Sequence, residues 1–318
     1  MSQPILVTGG AGFIGSHLVD ELLAAGHEVV TLDNFNNFYD PEIKRKNCSR
    51  HRDYSNYKLI EGDILDSRLL DDCFKSGNFT QVIHLAARAG VRPSIQNPRL
   101  YHEVNIGGTL NILEACRKYN VKKLVLASSS SVYGDNVKVP FSENDSVDSP
   151  ISPYASTKKA CELIAYTYHS LYDIDTVCLR FFTVYGPRQR PEMAIHLFTD
   201  RIMRGREISL FGDGRSSRDY TYIADIIEGV KSCLTTDFGY EILNLGRSDP
   251  VKLTDLVTML EKAIGKKARV VSKPHQGGDV FQTCANISKA QKLINYNPKF
   301  PIEKGLEQFV AWYKQFLN

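Results

Sequence analysis

Tyr154 and Lys158 stand four residues apart in a stretch of helical character, about Pro153 to Tyr172. That spacing puts both side chains on one helix face, so the ammonium can sit near the phenol. An unperturbed tyrosine keeps its proton to about pH 10. A fixed positive charge within a few ångströms favours the phenolate. A tyrosine tuned in this way can act as a base near neutral pH. Upstream, Leu124, Val125, Leu126 and Ala127 form an apolar run that ends in four serines, Ser128 to Ser131. This reads as the carboxyl end of a buried strand, the end at which open α/β sheets bind ligands. A Tyr-x-x-x-Lys pattern alone occurs often by chance, and the amino terminus decides its meaning.

There Ile5, Leu6 and Val7 form a short strand, followed at once by Thr8-Gly9-Gly10-Ala11-Gly12-Phe13-Ile14-Gly15. Ile14, Leu18, Val19, Leu22 and Leu23 then recur at helical spacing, and Gly26 stops the helix. Glu28–Leu32 is a second strand, ending in Asp33. Strand, glycine turn, helix, strand and acid are the context a dinucleotide site requires. Gly9 permits the turn, Gly12 lets the backbone approach a pyrophosphate, and Gly15 lets helix and sheet pack closely. The helix amino terminus supplies donors and a favourable dipole. Asp33 lies eighteen residues after Gly15. It can accept from both ribose hydroxyls and would repel a 2′-phosphate, which favours NAD over NADP.

The elements that must position these groups recur along the chain. Further strands read at Tyr57–Ile60, Gln81–Leu85, Lys123–Ala127 and Thr176–Phe181, separated by helical stretches at about Asp66–Ser76, Pro98–Tyr119 and Pro153–Tyr172. Such alternation means an α/β fold with a doubly wound parallel sheet. Asp63 and Ile64 follow the third strand and can flank an adenine; Ala86 and Ala87 follow the fourth, with room for a cofactor against the backbone. His84, inside an apolar strand, reads as a satisfied core histidine. The basic run between Asn34 and Asp53 reads as a solvated surface helix or loop. After Phe182 the texture changes: a helix at Pro191–Gly205, a strand at Glu207–Phe211, a turn, Tyr220 to Glu228 leading into a helix, and a returning strand at Ile242–Leu245. Amphipathic helices follow at Thr254–Gly265, Ile287–Ile294 and Ile302–Phe316. The expected division is a dinucleotide-binding domain over 1–183, with parts of about 219–248 returning to it. A smaller mixed α/β substrate domain, discontinuous, covers 184–318.

Composition bounds the partners. The 318 residues are 42% hydrophobic and 24% charged, with a formal net charge of +3, too small to point to nucleic acid. No apolar run is long enough to span a bilayer and no signal-peptide pattern is present, so a cytoplasmic protein without membrane partners is expected. Seven scattered cysteines form no CxxC pair and read as reduced core residues; no metal is expected.

Taken together, these motifs resemble the extended short-chain dehydrogenases/reductases, specifically the nucleotide-sugar epimerases, through nearly the whole chain. The resemblance rests on Thr8–Gly15, Asp33, Asp63-Ile64, His84–Ala87, Asn105, Ser128–Gly134, Tyr154–Lys158, Arg180–Pro187 and Arg218–Tyr220. Within that family the chain looks most like UDP-glucuronate 4-epimerases, through Ala89–Arg92 with Ser94 and Asn97-Pro98, the serine run before Val132-Tyr133-Gly134, Phe182–Pro187, Arg190–Ala194 and Gln276–Val280. The resemblance implies a Rossmann domain that holds NAD, a UDP-sugar substrate and a homodimer built on the helices around Pro98–Tyr119 and Pro153–Tyr172. It implies Ser129 at the sugar 4-oxygen, Tyr154 as base, and Lys158 as its partner and a contact of the nicotinamide ribose. Ser128 and Ser130 line the same pocket. Cofactor contacts extend to Phe13, Ile14, Asn34, Leu85 and Asn105. Arg218 would grip a phosphate bidentately, Asp279 would meet the uridine ribose, and Thr183 and Gln276 fall on the diphosphate or sugar. Thr183 stands where glucose-type epimerases usually have Asn, and Gln276 where they have Arg, a departure that favours the glucuronate branch.

A hexuronic acid carries a carboxylate, which is expensive to desolvate without a partner. Arg190, just past the substrate loop, is the expected partner, with Arg88 and Arg92 as competitors. The implied reaction takes the 4-hydroxyl proton to Tyr154 as hydride leaves C4, giving a 4-ketone whose other face then accepts the hydride. The 4-keto acid is prone to lose carbon dioxide, and a salt bridge holding the carboxylate out of alignment with the carbonyl would protect it. Other readings are a UDP-glucose/UDP-galactose 4-epimerase, a decarboxylase making UDP-xylose, a 4,6-dehydratase, and a noncatalytic dinucleotide-sensing scaffold. The decarboxylase usually has Glu where Ser131 stands, the dehydratase an Asp-Glu pair where Ser130-Ser131 stand, and scaffolds often lose the Tyr or Lys.

Overall fold

The computed structural model describes residues 3–212, 214–274 and 280–317. Twelve strands occur among them: β1 (Ile5–Thr8), β2 (Val29–Asp33), β3 (Tyr57–Glu61), β4 (Gln81–His84), β5 (Lys123–Ser129), β6 (Asp175–Phe181), β7 (Thr183–Tyr185), β8 (Glu207–Phe211), β9 (Ser217–Tyr222), β10 (Tyr240–Leu245), β11 (Pro250–Lys252) and β12 (Arg269–Lys273). Seven form one sheet in the order β10-β6-β5-β4-β1-β2-β3, and every pairing in it is parallel. β1 and β5 are buried at every residue, as strands covered by helices on both faces must be. Two small sheets, β11-β9-β7 and β12-β8, complete the strand set.

The connectivity creates the site. From β1 the chain moves outward through β2 and β3, then returns to the other flank of β1 as β4. The sheet's direction of growth therefore reverses between β1 and β4, which opens a crevice at their carboxyl ends. The Phe13–Ala24 helix covers β1 with Phe13, Leu18, Val19, Leu22 and Leu23, all buried, and Gly26 at φ +82° turns the chain back toward β2.

Several expectations need correction. The Asn34–Asp53 segment is not a solvated face: Pro41–Asn47 is helical, Ser49–Asp53 is a 3₁₀ turn, and Lys44, Asn47 and His51 are buried. Phe35 is buried beside Ala11 and Cys48, the Lys44 ammonium lies over the Tyr39 ring, and His51 meets Asp20 of the Phe13–Ala24 helix. The helix expected over Pro98–Tyr119 is three pieces: Pro98–Tyr101, a π-helical segment His102–Gly107, and Gly108–Lys118. The helix expected at Pro191–Gly205 is Ala194–Met203, because Arg190 to Met193 form a tight turn with the Met193 N–H donating to the Arg190 carbonyl. Tyr220 lies within β9, which runs on to Tyr222, and the helix begins at Ile223.

Candidate active site

The glycine turn lies where β1 meets β4. Gly9 has φ +70°, and a Cβ there would come within 2.8 Å of the Ala86 backbone nitrogen, so only glycine lets the two strand ends touch. At Gly15 a Cβ would sit 2.2 Å from the Gly9 carbonyl oxygen, so the helix can begin directly under the turn only without one. Gly12 caps this helix and has no side chain to occupy its first amides. Those amides are left for an anion, which the helix dipole also favours. Gly9, Gly12, Phe13, Ile14 and Gly15 line one cleft with Asp33, Asn34, Ile64, Leu85, Ala86 and Ala87.

Asp33 ends β2 almost wholly buried, and its carboxylate accepts from the Ala11 N–H at 3.2 Å and the Phe35 N–H at 2.9 Å. Burial pushes its carboxyl up, opposed by the Lys44 ammonium 4.0 Å away and by those two amides. Held like this, the group keeps acceptor capacity for hydroxyl donors of a ribose. Asn34 donates to Asp63 at 2.7 Å, fixing the strand end opposite. Asp63 is thereby a support; its neighbour Ile64 reaches the cleft. These features fit a dinucleotide.

The second wall is the serine run and the Pro153–Tyr172 helix. Lys158 Nζ donates to the Ala127 carbonyl at 2.6 Å, which pins the ammonium to the end of β5. Tyr154 lies one turn earlier, and Ser152 caps the helix by accepting from the Ala155 N–H. The Tyr154 N–H donates to Ser94 Oγ at 3.1 Å, and the Tyr101 ring meets the Tyr154 ring edge-on at 6.3 Å. Asn105, in the π-helical segment, accepts from the Arg88 N–H, and its amide donates to the Arg88 carbonyl and to Thr157 Oγ1, at 2.7, 3.0 and 3.0 Å. It ties the loop after β4 to the tyrosine's helix from outside the cleft lining. An extra residue in that turn is a known way to aim a side chain at a functional site.

Ser129, Ser130, Ser131, Tyr154, Lys158, Thr183 and Arg190 all line this same cleft. Ser129 Oγ donates to Ser131 Oγ at 3.1 Å and accepts from the Ser131 N–H at 3.2 Å. Ser128 touches the cleft, but its hydroxyl donates to Glu162 at 2.6 Å. Behind it Glu162, fully buried, forms a two-point ion pair with Arg180 at 2.8 and 2.9 Å. His84 is a core residue: each ring nitrogen meets a threonine hydroxyl, Thr8 at 2.7 Å and Thr109 at 3.1 Å, and burial lowers its pKa to about 3. Arg190 has Nε 2.7 Å from Glu192 Oε1 and its guanidinium 5.8 Å from the Phe38 ring centre.

Some expected residues lie elsewhere. Arg88 has a guanidinium nitrogen 3.5 Å from Asn36 Oδ1 and is outside the cleft lining. Arg92 stacks over Phe211. Arg218, on β9, donates to the Ser217 and Phe281 carbonyls and is also outside this lining. Gln276 and Asp279 fall outside the described residues. Sequence reasoning missed Asn36, Phe38, Tyr39, Lys44, Ser131 and Met193, all of which line the cleft. The aromatic residues amid the polar 34–53 segment were the available signal, since three rings with no periodic partner need something to cover.

Comparison with known proteins adds four findings. Residues 6–309 match the family model described as GDP-mannose 4,6 dehydratase. A UDP-glucuronate 4-epimerase of Thermodesulfobacterium geofontis is 46% identical over 311 residues, 98% of this chain and 96% of that one. Among solved structures, a UDP-glucuronic acid 4-epimerase from Bacillus cereus, in complex with UDP-glucuronic acid and NAD, superposes with TM-score 0.93 at 38% identity, covering 99% and 100% of the two chains. A UDP-glucose 4-epimerase from Thermotoga maritima, with UDP-glucose, superposes with TM-score 0.92 at 33% identity and the same coverage. With its glycine turn, its tyrosine and lysine and this whole-chain match, the protein belongs to the extended short-chain dehydrogenases/reductases, in the family described as GDP-mannose 4,6 dehydratase.

Proposed function

We propose that the chain is an NAD-dependent epimerase that interconverts UDP-glucuronate and UDP-galacturonate through a transient 4-keto sugar. The observation that carries this reading is that the glycine turn, the Ser129–Tyr154–Lys158 group and Arg190 line one cleft at the β1/β4 crossover. The wider likeness to named UDP-glucuronate 4-epimerases supports the substrate.

Bound NAD supplies a reversible hydride acceptor. Tyr154 accepts the proton of the 4-hydroxyl and later returns it to the same oxygen, once the 4-keto sugar has turned to present the other face of C4 for the returning hydride. Lys158, held at the Ala127 carbonyl, stabilises the charge that forms on the phenol and would donate to the nicotinamide ribose. Ser129 hydrogen-bonds the 4-oxygen and steers it toward Tyr154. Asp33 would hold the adenosine ribose, and the open amides after Gly12 would hold the pyrophosphate. Arg190 pairs with the substrate carboxylate and keeps it charged and out of line with the 4-ketone, which suppresses loss of carbon dioxide. Arg218 on β9 extends the substrate site toward the nucleotide.

A neutral-sugar epimerase is the second reading, favoured by the Arg190–Glu192 pair, since Glu192 competes with any substrate carboxylate. Purified protein incubated with UDP-glucuronate, without added NAD, is the test. Proton NMR should show UDP-galacturonate. UDP-xylose, or turnover of UDP-glucose alone, refutes the reading.

The domain division follows the same logic, with the dinucleotide held by 1–183 and β10, and the sugar nucleotide by the remainder. A homodimer is supported by Leu163, Tyr166, Leu171 and Tyr172 along one helix and Leu110 on its neighbour, all exposed. Seven buried, free cysteines suit a cytoplasmic location. No helix among the described residues is long and apolar enough to cross a membrane.

A further inference from the structure

The segment from Gly186 to Arg190 leaves β7 and delivers Arg190 to the cleft. It is held at each successive residue. His17 Nε2–H donates to the Pro187 carbonyl at 2.9 Å. The Arg188 guanidinium pairs with Asp20 Oδ2 at 2.8 Å, and His51 meets the other Asp20 oxygen at 2.6 Å. Gln189, 1% exposed, donates through its side chain to the Val184 carbonyl at 3.0 Å, and its own carbonyl accepts from His196 at 2.6 Å. The Arg190 carbonyl accepts from the Met193 N–H at 3.1 Å.

One feature of this segment needs a restraint. Arg188 has φ +65°, a left-handed conformation that a residue with a Cβ resists. Asp20 holds it there by charge. Pro187 has no N–H, so His17 reads the only hydrogen-bonding group that residue offers. Burial, then the nearby Arg188 charge, lower the His17 pKa to about 4, so the ring is neutral with one N–H, placed on Nε2 by the carbonyl it meets. His17 and Asp20 belong to the Phe13–Ala24 helix, whose first turn faces the cleft at Gly12. The helix that opens on the dinucleotide site thus also carries the grips on the arginine's loop.

We propose that His17 and Asp20 are positioning residues that fix the Pro187–Arg190 segment against the first helix and so set the preference for an acidic sugar. The proposal rests on the reading that Arg190 pairs with the carboxylate. It makes selectivity a property of the first helix, through two residues that do not themselves line the cleft.

The test compares affinities of NAD-loaded protein for UDP-glucuronate and UDP-glucose by calorimetry, with folding checked by the unfolding midpoint. Arg190→Ala should lower the acid-to-neutral affinity ratio. Asp20→Asn should lower the same ratio about fivefold, with UDP-glucose affinity unchanged. His17→Leu should act similarly, and His17→Gln, which keeps an N–H donor, should restore the ratio. This second pair decides the matter if Asp20→Asn does not fold. If Arg190→Ala lowers the ratio but Asp20→Asn and His17→Leu leave it at the wild-type value, or weaken both ligands equally, the positioning role is overturned and the carboxylate reading stands. If Arg190→Ala itself leaves the ratio unchanged, the carboxylate reading fails and takes the proposal with it.

Discussion

Removing the carboxylate of Glu162 should be among the most damaging single changes outside the reacting groups. Glu162 is fully buried and Arg180 is 1% exposed. Their two hydrogen bonds measure 2.8 and 2.9 Å, and Ser128 adds a third to the same carboxylate at 2.6 Å. Without Glu162 the guanidinium is left with Tyr133, whose ring centre is 4.8 Å away. Breaking a buried pair by deleting one partner costs about 3–5 kcal/mol, because the other charge stays desolvated. Glu162→Gln preserves volume, so no cavity contributes. Arg180→Met should cost a similar amount. The double variant removes the stranded charge and should cost about 2 kcal/mol less than the sum of the singles, within the range of contacting residues. Ser128→Ala removes one hydrogen bond to a charged group, about 1.5–3 kcal/mol. Urea unfolding of the NAD-saturated proteins, followed by far-UV circular dichroism, gives all four values. A loss under about 1 kcal/mol for either single variant of the pair, or additive singles, refutes the argument that this pair braces the serine strand.

Other outcomes follow from the same geometry. Tyr154→Phe should reduce UDP-glucuronate turnover by about 10²–10⁴ while leaving the unfolding midpoint near that of the wild type, as stopped assays and a thermal melt will show. Gly15→Ala would place a Cβ 2.2 Å from the Gly9 carbonyl; it should destabilise by about 1–3 kcal/mol and release bound NAD, read by the cofactor content of the purified protein. Burial, and secondarily Lys158, hold the folded pKa of His84 at about 3 against 6.5 when unfolded. Between those values the unfolded chain binds the extra proton, so this contribution is complete above pH 6.5 and is lost as the pH falls toward 3, by up to about 1.4 kcal/mol per unit. His84→Gln should flatten that part of the stability–pH curve.

Local patterns carried most of the site. The glycine turn, its helix and Asp33 are contiguous in sequence, and each is dictated by backbone sterics or strand polarity. Tyr154 and Lys158 are one helical turn apart, so their common face needed no tertiary knowledge. What was illegible depends on distant pairing. β7 and β9 pair across more than thirty intervening residues, and neither has a periodicity that announces its partner. Lys44 and His51 sit in a charged run whose composition does not announce their burial: Lys44 lies between the Tyr39 ring and Asp33, and His51 between Tyr57 and Asp20. The π-helical turn that aims Asn105 leaves no mark in the spacing of Pro98–Tyr119. Arg180 follows the apolar run Val177–Leu179 in its strand, and only the fold brings Glu162 alongside it. The grip of His17 and Asp20 on Pro187 and Arg188 spans about 170 residues and cannot be inferred from either end.

Every role assigned to the cleft depends on hydrogen leaving C4 of a nucleotide-linked sugar and coming back to the same carbon without passing through water. UDP-glucuronate labelled with deuterium at C4, turned over by the purified protein in ordinary water, examines this directly. The UDP-galacturonate formed should keep its deuterium at C4, as mass spectrometry and NMR will read. Washout of the label into solvent, or an unchanged configuration at C4 after prolonged incubation, would contradict the account.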